Sequence, residues 1–218
     1  MSAGTHWLTP FGHLVVVDAP VAAPLHADEA ALSAGWGDRR KATFAAGRHA
    51  LRCALRAAAI DVDIAIGRDE RGAPVLPTGV SGSVTHKDTL AGALVCIDGD
   101  GTVGLDLELD EPRTGTAVDG LIRQVLTERE QALLPNDNDG RRRAWLLRFS
   151  LKESLYKALD PWVRRYVGFQ EVEVDVDDND NAIFTVAGFA AIGAVVDVGR
   201  PGVLVTVARC RPLVRCYP

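Results

Sequence analysis

The chain has 218 residues, of which 47% are hydrophobic, and its formal net charge at pH 7 is -5. A chain of this length and composition has enough apolar surface for one large domain or two small ones, which excludes an intrinsically disordered protein. The acidic balance argues against a nucleic-acid-binding protein, so any anion site must be a local group of basic residues.

Strands around one long helix are predicted for the first half of the chain. The predicted elements are, in order, a strand at 12–18, a helix at 38–59, a loop rich in glycine and proline at 67–79, and strands at 83–86 and 91–97. Basic residues recur along one side of the helix, at Lys41, Arg48, Arg52 and Arg56. The run Asp98-Gly99-Asp100-Gly101 predicts a hairpin turn into the next strand.

The second half alternates differently, with helices grouped between strands. Its predicted elements are a strand at 102–109, a helix at 121–134, a polar loop at 135–140, a long helix at 141–159 ending near Pro161, and strands at 170–176, 182–187, 192–198 and 203–208. This order predicts an α+β fold rather than a regular βαβ alternation. We expect the halves to divide near Gly99–Gly104, giving an N-terminal half at 1–102 and a C-terminal half at 103–218.

A pair of acidic residues lies on the strand at 102–109. Asp106 and Glu108 are two residues apart, so their side chains lie on one face of the strand, opposite the apolar Leu105 and Leu107. Two adjacent carboxylates favour a cation between them, and Mg²⁺ prefers such oxygen ligands together with phosphate oxygens. The alternative is a solvated strand face, where acidic pairs are common.

Three further patterns have ordinary structural explanations when each is taken alone. Glu153 and Lys157 are four apart on one helix side, the spacing of a surface salt bridge that contributes about 0.3 kcal/mol. His86 follows a short strand, where a lone histidine is usually a structural hydrogen-bonding group. The basic residues Arg40, Lys41 and Arg48, together with Arg71, are also consistent with a solvated surface.

Taken together, the patterns resemble the surfactin-type 4'-phosphopantetheinyl transferases, closest to the branch containing the enterobactin synthase component D proteins. The motifs occur in the family's order, and they are Gly82-Ser-Val-Thr-His86, Gly104-Leu-Asp-Leu-Glu108 and Phe149-Ser-x-Lys-Glu-Ser-x-x-Lys-Ala158. Gly47-Arg48 and Arg71-Gly72-x-Pro74 also fit. The resemblance runs from about Arg39 to Phe169. The family usually has isoleucine at the positions of Leu105 and Leu107, a swap that stays apolar.

The resemblance implies a fold and a reaction. The expected fold is a pseudo-twofold arrangement of two similar α/β halves with the active site in the cleft between them. The expected reaction moves the 4'-phosphopantetheine group of coenzyme A to a serine of an acyl or peptidyl carrier protein and releases adenosine 3',5'-bisphosphate. Because both halves belong to one chain, the family plan also suggests a monomer.

The resemblance also implies roles for individual residues. The implied Mg²⁺ ligands are Asp106, Glu108 and Glu153. Glu153 and Lys157 are the implied catalytic residues, with Glu153 accepting the serine proton directly or through a metal-bound water. Implied contacts to coenzyme A are made by Arg40, Arg48, Arg71, Ser83, Thr85, His86, Lys152 and Lys157. Within this set, Arg48 and His86 are assigned to the 3'-phosphate, whereas Lys152 and Lys157 are assigned to other phosphate oxygens.

Several alternatives stay open from the sequence. The same carboxylates could direct water in a magnesium-dependent phosphohydrolase, or the chain could be a non-catalytic coenzyme A-binding module. Glu130 could be another acid near the metal, or it could form a capping box with Thr127. Trp162 and Tyr166, near Arg164 and Arg165, could form a docking patch for the carrier or belong to the core.

Neither a membrane span nor a secretion signal is predicted. The apolar runs are much shorter than the ~20 residues of a transmembrane helix, and the N-terminus lacks the basic start and apolar stretch of a signal peptide. The four cysteines include no C-x-x-C pair, and a chain of this length does not need disulfides to stabilise its core. We therefore expect reduced cysteines and a cytoplasmic location.

Overall fold

Two antiparallel sheets share an apolar layer in the computed structural model, which describes residues 4–21, 23–60, 63, 65–97, 99, 101–110 and 117–213. The strands are β1 (Thr5–Thr9), β2 (Gly12–Asp18), β3 (Ser81–Lys87), β4 (Leu90–Cys96), β5 (Thr102–Leu109), β6 (Glu173–Val176), β7 (Asn181–Thr185), β8 (Phe189–Val195) and β9 (Val203–Pro212). The α-helices are α1 (Ala27–Leu32), α2 (Asp38–Ala57), α3 (Ala117–Val125), α4 (Glu128–Ala132) and α5 (Asn138–Val163).

The order of strands separates the two halves of the chain. The first sheet has the order β1-β2-β4-β3 and the second has the order β5-β9-β8-β7-β6. Helix α2 packs on β2 and β4, whereas α5 packs on β5 and β9. The α+β prediction is confirmed. The pseudo-twofold relation between the halves stays a prediction.

Alternation along the strands creates apolar layers on both faces of each sheet. In β2, Val15 and Val17 pack towards α2, whereas Leu14 and Val16 face the second sheet. On β5, the apolar residues point towards the first sheet and meet this layer. The intervening Asp106 and Glu108 are therefore on the α5 side of the strand. The fold thus forces the acidic pair to face the long helix.

Serine hydroxyls join the two sheets where β3 runs beside β5. The Ser81 Oγ accepts a hydrogen bond from the Val103 backbone N at 2.9 Å, and the Ser83 Oγ accepts one from the Leu105 backbone N at 3.1 Å. On the edge of β5 that is not paired with β9, these hydroxyls take the place that the carbonyls of a neighbouring strand occupy in an ordinary sheet. This junction fixes β5 against the N-terminal half.

The predicted helix at 121–134 is wrong because the chain breaks into α3 and α4. Thr127 caps α4: its Oγ1 accepts a hydrogen bond from the Glu130 backbone N at 3.3 Å, and Glu130 Oε2 accepts one from the Thr127 backbone N at 2.8 Å. The capping box is confirmed, but it starts a new helix instead of lying within one.

Helix α5 is longer at both ends than the predicted helix at 141–159. Asp137 caps its N-terminus by accepting a hydrogen bond from the Gly140 backbone N at 2.7 Å, which moves the start to Asn138. The helix also continues through Pro161, because a proline in the last turn removes few helical hydrogen bonds. It ends at Arg164, whose left-handed backbone (φ 47°) forms the C-cap.

Most other elements match the prediction, with two short ones missed. The predicted strands and the helix of the first half are present within a few residues of their expected bounds, but β1 and α1 were not predicted. Both are only five or six residues long, which is too short for a clear period. Part of the predicted turn at 98–101 lies outside the described residues. No helix in the described ranges is long and apolar enough to cross a membrane.

Candidate active site

A cleft with a volume of about 740 Å³ opens between the two halves of the chain. Its walls come from α2, the loop after Gly67, strand β3, the start of β5 and the last turns of α5. The side chains that matter for recognition line it as follows: Trp36, Arg40, Phe44, Arg48, Arg68, Arg71, Ser83, His86, Tyr156, Lys157, Asp160 and Arg164. Most charged residues in this wall are basic, which favours an anionic ligand.

Asp106 is buried beside the cleft and has three hydrogen-bonding side chains around it. Lys157 Nζ donates to Asp106 Oδ1 at 2.8 Å and to the Leu105 backbone O at 2.8 Å. The Ser150 hydroxyl donates to Asp106 Oδ2 at 2.9 Å, and the Thr85 hydroxyl lies 3.4 Å from Oδ1. Lys157 also lines the cleft, so this ion pair connects the buried acid to the ligand space.

Gly104 explains why α5 can approach β5 so closely. A Cβ at this position would overlap the Ser154 carbonyl oxygen and would contact the Ala158 backbone N. Only glycine therefore permits this helix–strand distance. The close crossing places the Glu153 and Lys157 turn of α5 over the acidic face of β5.

The second strand acid and the helix acid complete a group of three carboxylates. Glu108 Oε2 is 2.6 Å from Lys87 Nζ. Burial raises the pKa of Glu153, the charges of Asp106 and Glu108 raise it further, and Lys157 opposes the shift. Asp106 and Glu108 thus both contribute negative charge at Glu153.

The chemistry of this donor set fits Mg²⁺, although its present arrangement does not enclose an ion. Among the described residues, no three His, Cys, Asp or Glu side chains are arranged to hold a metal. Two of the three acids are instead paired with lysines, Asp106 with Lys157 and Glu108 with Lys87. Mg²⁺ prefers hard oxygen ligands such as the carboxylates of these three acids. The side chains would have to rearrange to bind it.

The other end of the cleft is a wall of stacked cations and aromatic rings. The Arg40 Cζ lies 4.1 Å from the Trp36 ring centroid, and the Arg68 Cζ lies 5.5 Å from the same ring. The Arg48 Cζ lies 4.6 Å from the Phe44 centroid. Burial lowers the pKa of Arg48 to about 10, which still leaves it charged at neutral pH. This wall is suited to a phosphate group.

His86 lies at the end of β3 and lines the cleft. Partial burial, followed by the charge of Lys157, lowers the pKa of His86 below its ordinary value. The imidazole is therefore neutral near pH 7 and can donate one N–H to an anion.

The assignment of Lys152 to phosphate binding does not fit the structure. Its side chain is completely buried, and its Nζ donates to Glu130 Oε2 at 2.7 Å, to the Val125 backbone O at 2.9 Å and to the Phe169 backbone O at 3.0 Å. All three ammonium hydrogens are thus used within the protein. Lys152 links α3, α4 and α5 and does not line the cleft.

Three other predicted coenzyme A contacts have partners within the protein. Arg71 lines the cleft, but its Nε donates to both Asp160 carboxylate oxygens, at 2.7 and 2.8 Å. Ser83 lines the cleft while its hydroxyl accepts from Leu105 N at the sheet junction. Thr85 is buried and contacts Asp106 and Lys157 instead of lining the cleft. Their assignment to coenzyme A binding stays a prediction.

Sequence reasoning missed four residues that the structure places in or behind the site. Trp36 and Arg68 line the cleft, Lys87 pairs with Glu108, and Glu29 is buried behind Arg48. The only sequence signal among them is the three-residue step from His26 to Glu29, which forms a capping box with histidine in place of the usual serine or threonine.

Comparison with known proteins gives consistent matches across both halves. The model of the 4'-phosphopantetheinyl transferase N-terminal domain matches residues 28–96, and the model of the 4'-phosphopantetheinyl transferase superfamily matches residues 102–197. The 4'-phosphopantetheinyl transferase Npt of Nocardia iowensis is 34% identical over 158 residues, which are 72% of this chain and 68% of that protein.

Two further relatives extend the comparison. The 4'-phosphopantetheinyl transferase PptT of Mycobacterium tuberculosis is 29% identical over 158 residues, covering 72% of this chain and 67% of that protein. A holo-[acyl-carrier-protein] synthase of Limosilactobacillus reuteri is 32% identical over 95 residues, or 43% of this chain and 81% of that protein. The two matched models together span the residues of the cleft and the carboxylate group. With the 34% identity to Npt over 68% of that protein, they show that the chain belongs to the 4'-phosphopantetheinyl transferase superfamily.

Proposed function

We propose that this protein transfers the 4'-phosphopantetheine group of coenzyme A to a serine hydroxyl of an acyl or peptidyl carrier protein. The observation that carries the proposal is the Lys157–Asp106 ion pair at the cleft, with Glu153 above it and a basic wall at the other end. A ligand with a diphosphate and a separate phosphate matches two such charged regions.

In the proposed complex, coenzyme A lies along the cleft. The cleft volume of about 740 Å³ is within the range of about 300–1,000 Å³ typical of small-molecule sites. Arg48 and Arg40 bind the 3'-phosphate through charge-assisted hydrogen bonds, and the neutral His86 donates one N–H to it. Lys157 binds a diphosphate oxygen. Its Nζ already contacts Asp106, the Leu105 backbone O and the Thr85 hydroxyl, but unlike Lys152 it is 31% exposed, so it exchanges one of these contacts for the ligand.

Asp106, Glu108 and Glu153 would hold Mg²⁺, which supplies positive charge to the diphosphate when bound. Glu153 accepts the proton of the attacking serine. The serine oxygen forms a bond to the β-phosphorus while the bond from that phosphorus to the bridging oxygen breaks. Lys157 stabilises the negative charge that develops on adenosine 3',5'-bisphosphate as it leaves.

An exposed patch after the catalytic helix is the proposed docking surface for the carrier. Trp162 is 45% exposed and Tyr166 is 77% exposed, which argues against the alternative that both are core residues. Arg164 and Arg165 lie between them in sequence, and Trp162 Nε1 donates to Thr102 Oγ1 at 2.6 Å. Aromatic residues with basic neighbours suit an acidic helical partner.

A mass-spectrometric assay tests the transfer. Purified protein is incubated with Mg²⁺, coenzyme A and apo carrier proteins from fatty-acid, polyketide and siderophore pathways. The expected result is a carrier that gains the mass of one phosphopantetheine group, and no gain with the Asp106→Asn variant. A folded wild-type protein that modifies none of the carriers would overturn the proposal, and phosphate release from coenzyme A without a carrier would point to a hydrolase.

The proposal includes a monomer that acts in the cytoplasm, where coenzyme A and carrier domains are made. Light scattering after gel filtration tests the first part, with an expected mass near 23.3 kDa. A mass twice as large at assay concentrations would contradict it.

A further inference from the structure

A buried acid lies directly behind the basic wall of the cleft. Glu29 is 1% exposed and belongs to the first turn of α1, where its Oε2 accepts a hydrogen bond from the His26 backbone N at 3.1 Å. Its Oε1 accepts from the Ile66 backbone N at 2.8 Å and from Arg52 Nη2 at 2.6 Å. A carboxylate buried this deeply is costly unless it is charge-compensated, so these contacts fix its position.

Arg48 lies between this acid and the cleft. Its Nε is 3.9 Å from Glu29 Oε1, its Nη2 donates to the Gly67 backbone O at 3.1 Å, and its guanidinium lies over the Phe44 ring. Arg48 is 4% exposed, yet it lines the cleft. The guanidinium therefore has a carbonyl on one side, an aromatic face against it and an acid behind its Nε at ion-pair distance, with no hydrogen bond from that nitrogen to any described residue.

Other arginines lie near Arg48, so the negative charge of Glu29 matters for the position of its guanidinium. The charges of Arg52 and Arg68 both act against the charged form of Arg48, whereas Glu29 supports it. Neutralising Glu29 would leave the guanidinium of Arg48 among like charges without the carboxylate behind it. The Arg48 side chain would then adopt other rotamers, and its guanidinium would no longer be fixed at the cleft wall.

We propose that Glu29 is a positioning residue for recognition of the coenzyme A 3'-phosphate, because it fixes the guanidinium of Arg48 at the cleft wall. This inference rests on the proposed function. Glu29 is too deeply buried to touch the ligand, so it acts through Arg48. It follows that Glu29 determines how strongly the protein prefers coenzyme A over dephospho-coenzyme A, which lacks the 3'-phosphate.

The test compares binding of these two ligands to the full chain by isothermal titration calorimetry. For Glu29→Gln we expect the Kd for coenzyme A to rise about tenfold, the scale of one weakened charge-assisted interaction. The Kd for dephospho-coenzyme A should change less than about twofold. In carrier-modification kinetics, KM for coenzyme A rises while kcat stays unchanged, because Arg48 is assigned to the 3'-phosphate and not to the reacting diphosphate.

Ser33→Ala is the matched control. Ser33 is buried at the other end of α1, where its hydroxyl donates to the Glu29 backbone O at 3.1 Å. Its replacement loosens the same helix without removing the carboxylate. It should lower the melting temperature while the ratio of the two dissociation constants stays at the wild-type value.

The outcomes separate this inference from the proposed function. An equal weakening of both ligands by Glu29→Gln, or an unchanged preference, would overturn the positioning role while leaving wild-type transfer intact. A wild-type protein without transfer or coenzyme A binding would overturn the proposed function itself. If Glu29→Gln fails to fold, Glu29→Asp is measured instead, because it keeps the charge but shortens the side chain. We expect it to weaken coenzyme A binding by less than about tenfold and to leave dephospho-coenzyme A binding unchanged.

Discussion

The two lysines of α5 show how one helix separates stability from chemistry. Lys152 is completely buried with Glu130, and its ammonium group makes three hydrogen bonds inside the protein. Lys157 is 31% exposed, pairs with Asp106 and lines the cleft. Residues five apart differ by about 140° around a helix, so the two side chains leave it in different directions. Their surroundings, not their chemistry, give them different roles.

The largest expected effect is on the buried pair. Lys152→Met should lower the free energy of unfolding by about 3–5 kcal/mol, because it leaves the carboxylate of Glu130 buried without a cation. Urea unfolding at pH 7 measures this. The double variant Lys152→Met/Glu130→Gln should regain part of the loss. A single variant as stable as wild type would remove the distinction between the two lysines.

The cleft lysine should show the opposite behaviour. Lys157→Met should reduce transfer by about 100- to 1000-fold, the scale of losing one group that stabilises transition-state charge. The urea midpoint should fall less than in Lys152→Met, because Lys157 is 31% exposed and the Ser150 hydroxyl still donates to Asp106. Initial rates of carrier modification give the measurement. Lys41→Met on α2, outside the cleft lining, is the control and should keep full activity. Near-normal transfer by the Lys157 variant would contradict the proposed role.

A smaller effect is expected at the second acid–lysine pair beside the cleft. Lys87→Met frees Glu108 from a half-exposed ion pair, and such pairs are worth up to about 1 kcal/mol. Binding of Mn²⁺, followed by electron paramagnetic resonance as a stand-in for Mg²⁺, should therefore tighten about twofold to fivefold. Unchanged or weaker binding would argue that Glu108 is not a metal ligand.

The smallest effect is expected at the exposed pair on the cleft rim. Asp160→Asn removes the carboxylate that holds Arg71, but water screens both groups. We expect the free energy of unfolding to stay the same within experimental error. A large loss of stability in urea unfolding would show that exposure does not rank these ion pairs as we describe.

Part of this site could be predicted because local geometry fixes it. Alternation on β5 sends Leu105 and Leu107 into the core and leaves Asp106 and Glu108 on the other face. Helical spacing likewise puts Glu153 and Lys157 on one side of α5. Which residues share a face of one strand or one helix depends only on their spacing, so it can be predicted from the sequence.

The partners of several charged side chains depend on tertiary contacts and could not be predicted from the sequence. Lys152 lies next to Glu153 in the motif, but its direction depends on where Glu130 and Phe169 are packed. Glu29 was missed because α1 has only six residues and its partners, Arg52 and Ile66, are distant in sequence. The pairing of Lys87 with Glu108 likewise exists only because the serine junction places β3 beside β5.

A crystal structure with coenzyme A and Mg²⁺ bound tests the central claim most directly. We predict the diphosphate beside Asp106, Glu153 and Lys157, and the 3'-phosphate at the Arg48 wall, with Lys152 still buried against Glu130. Coenzyme A bound outside this cleft, or a diphosphate remote from the three carboxylates, would contradict the account.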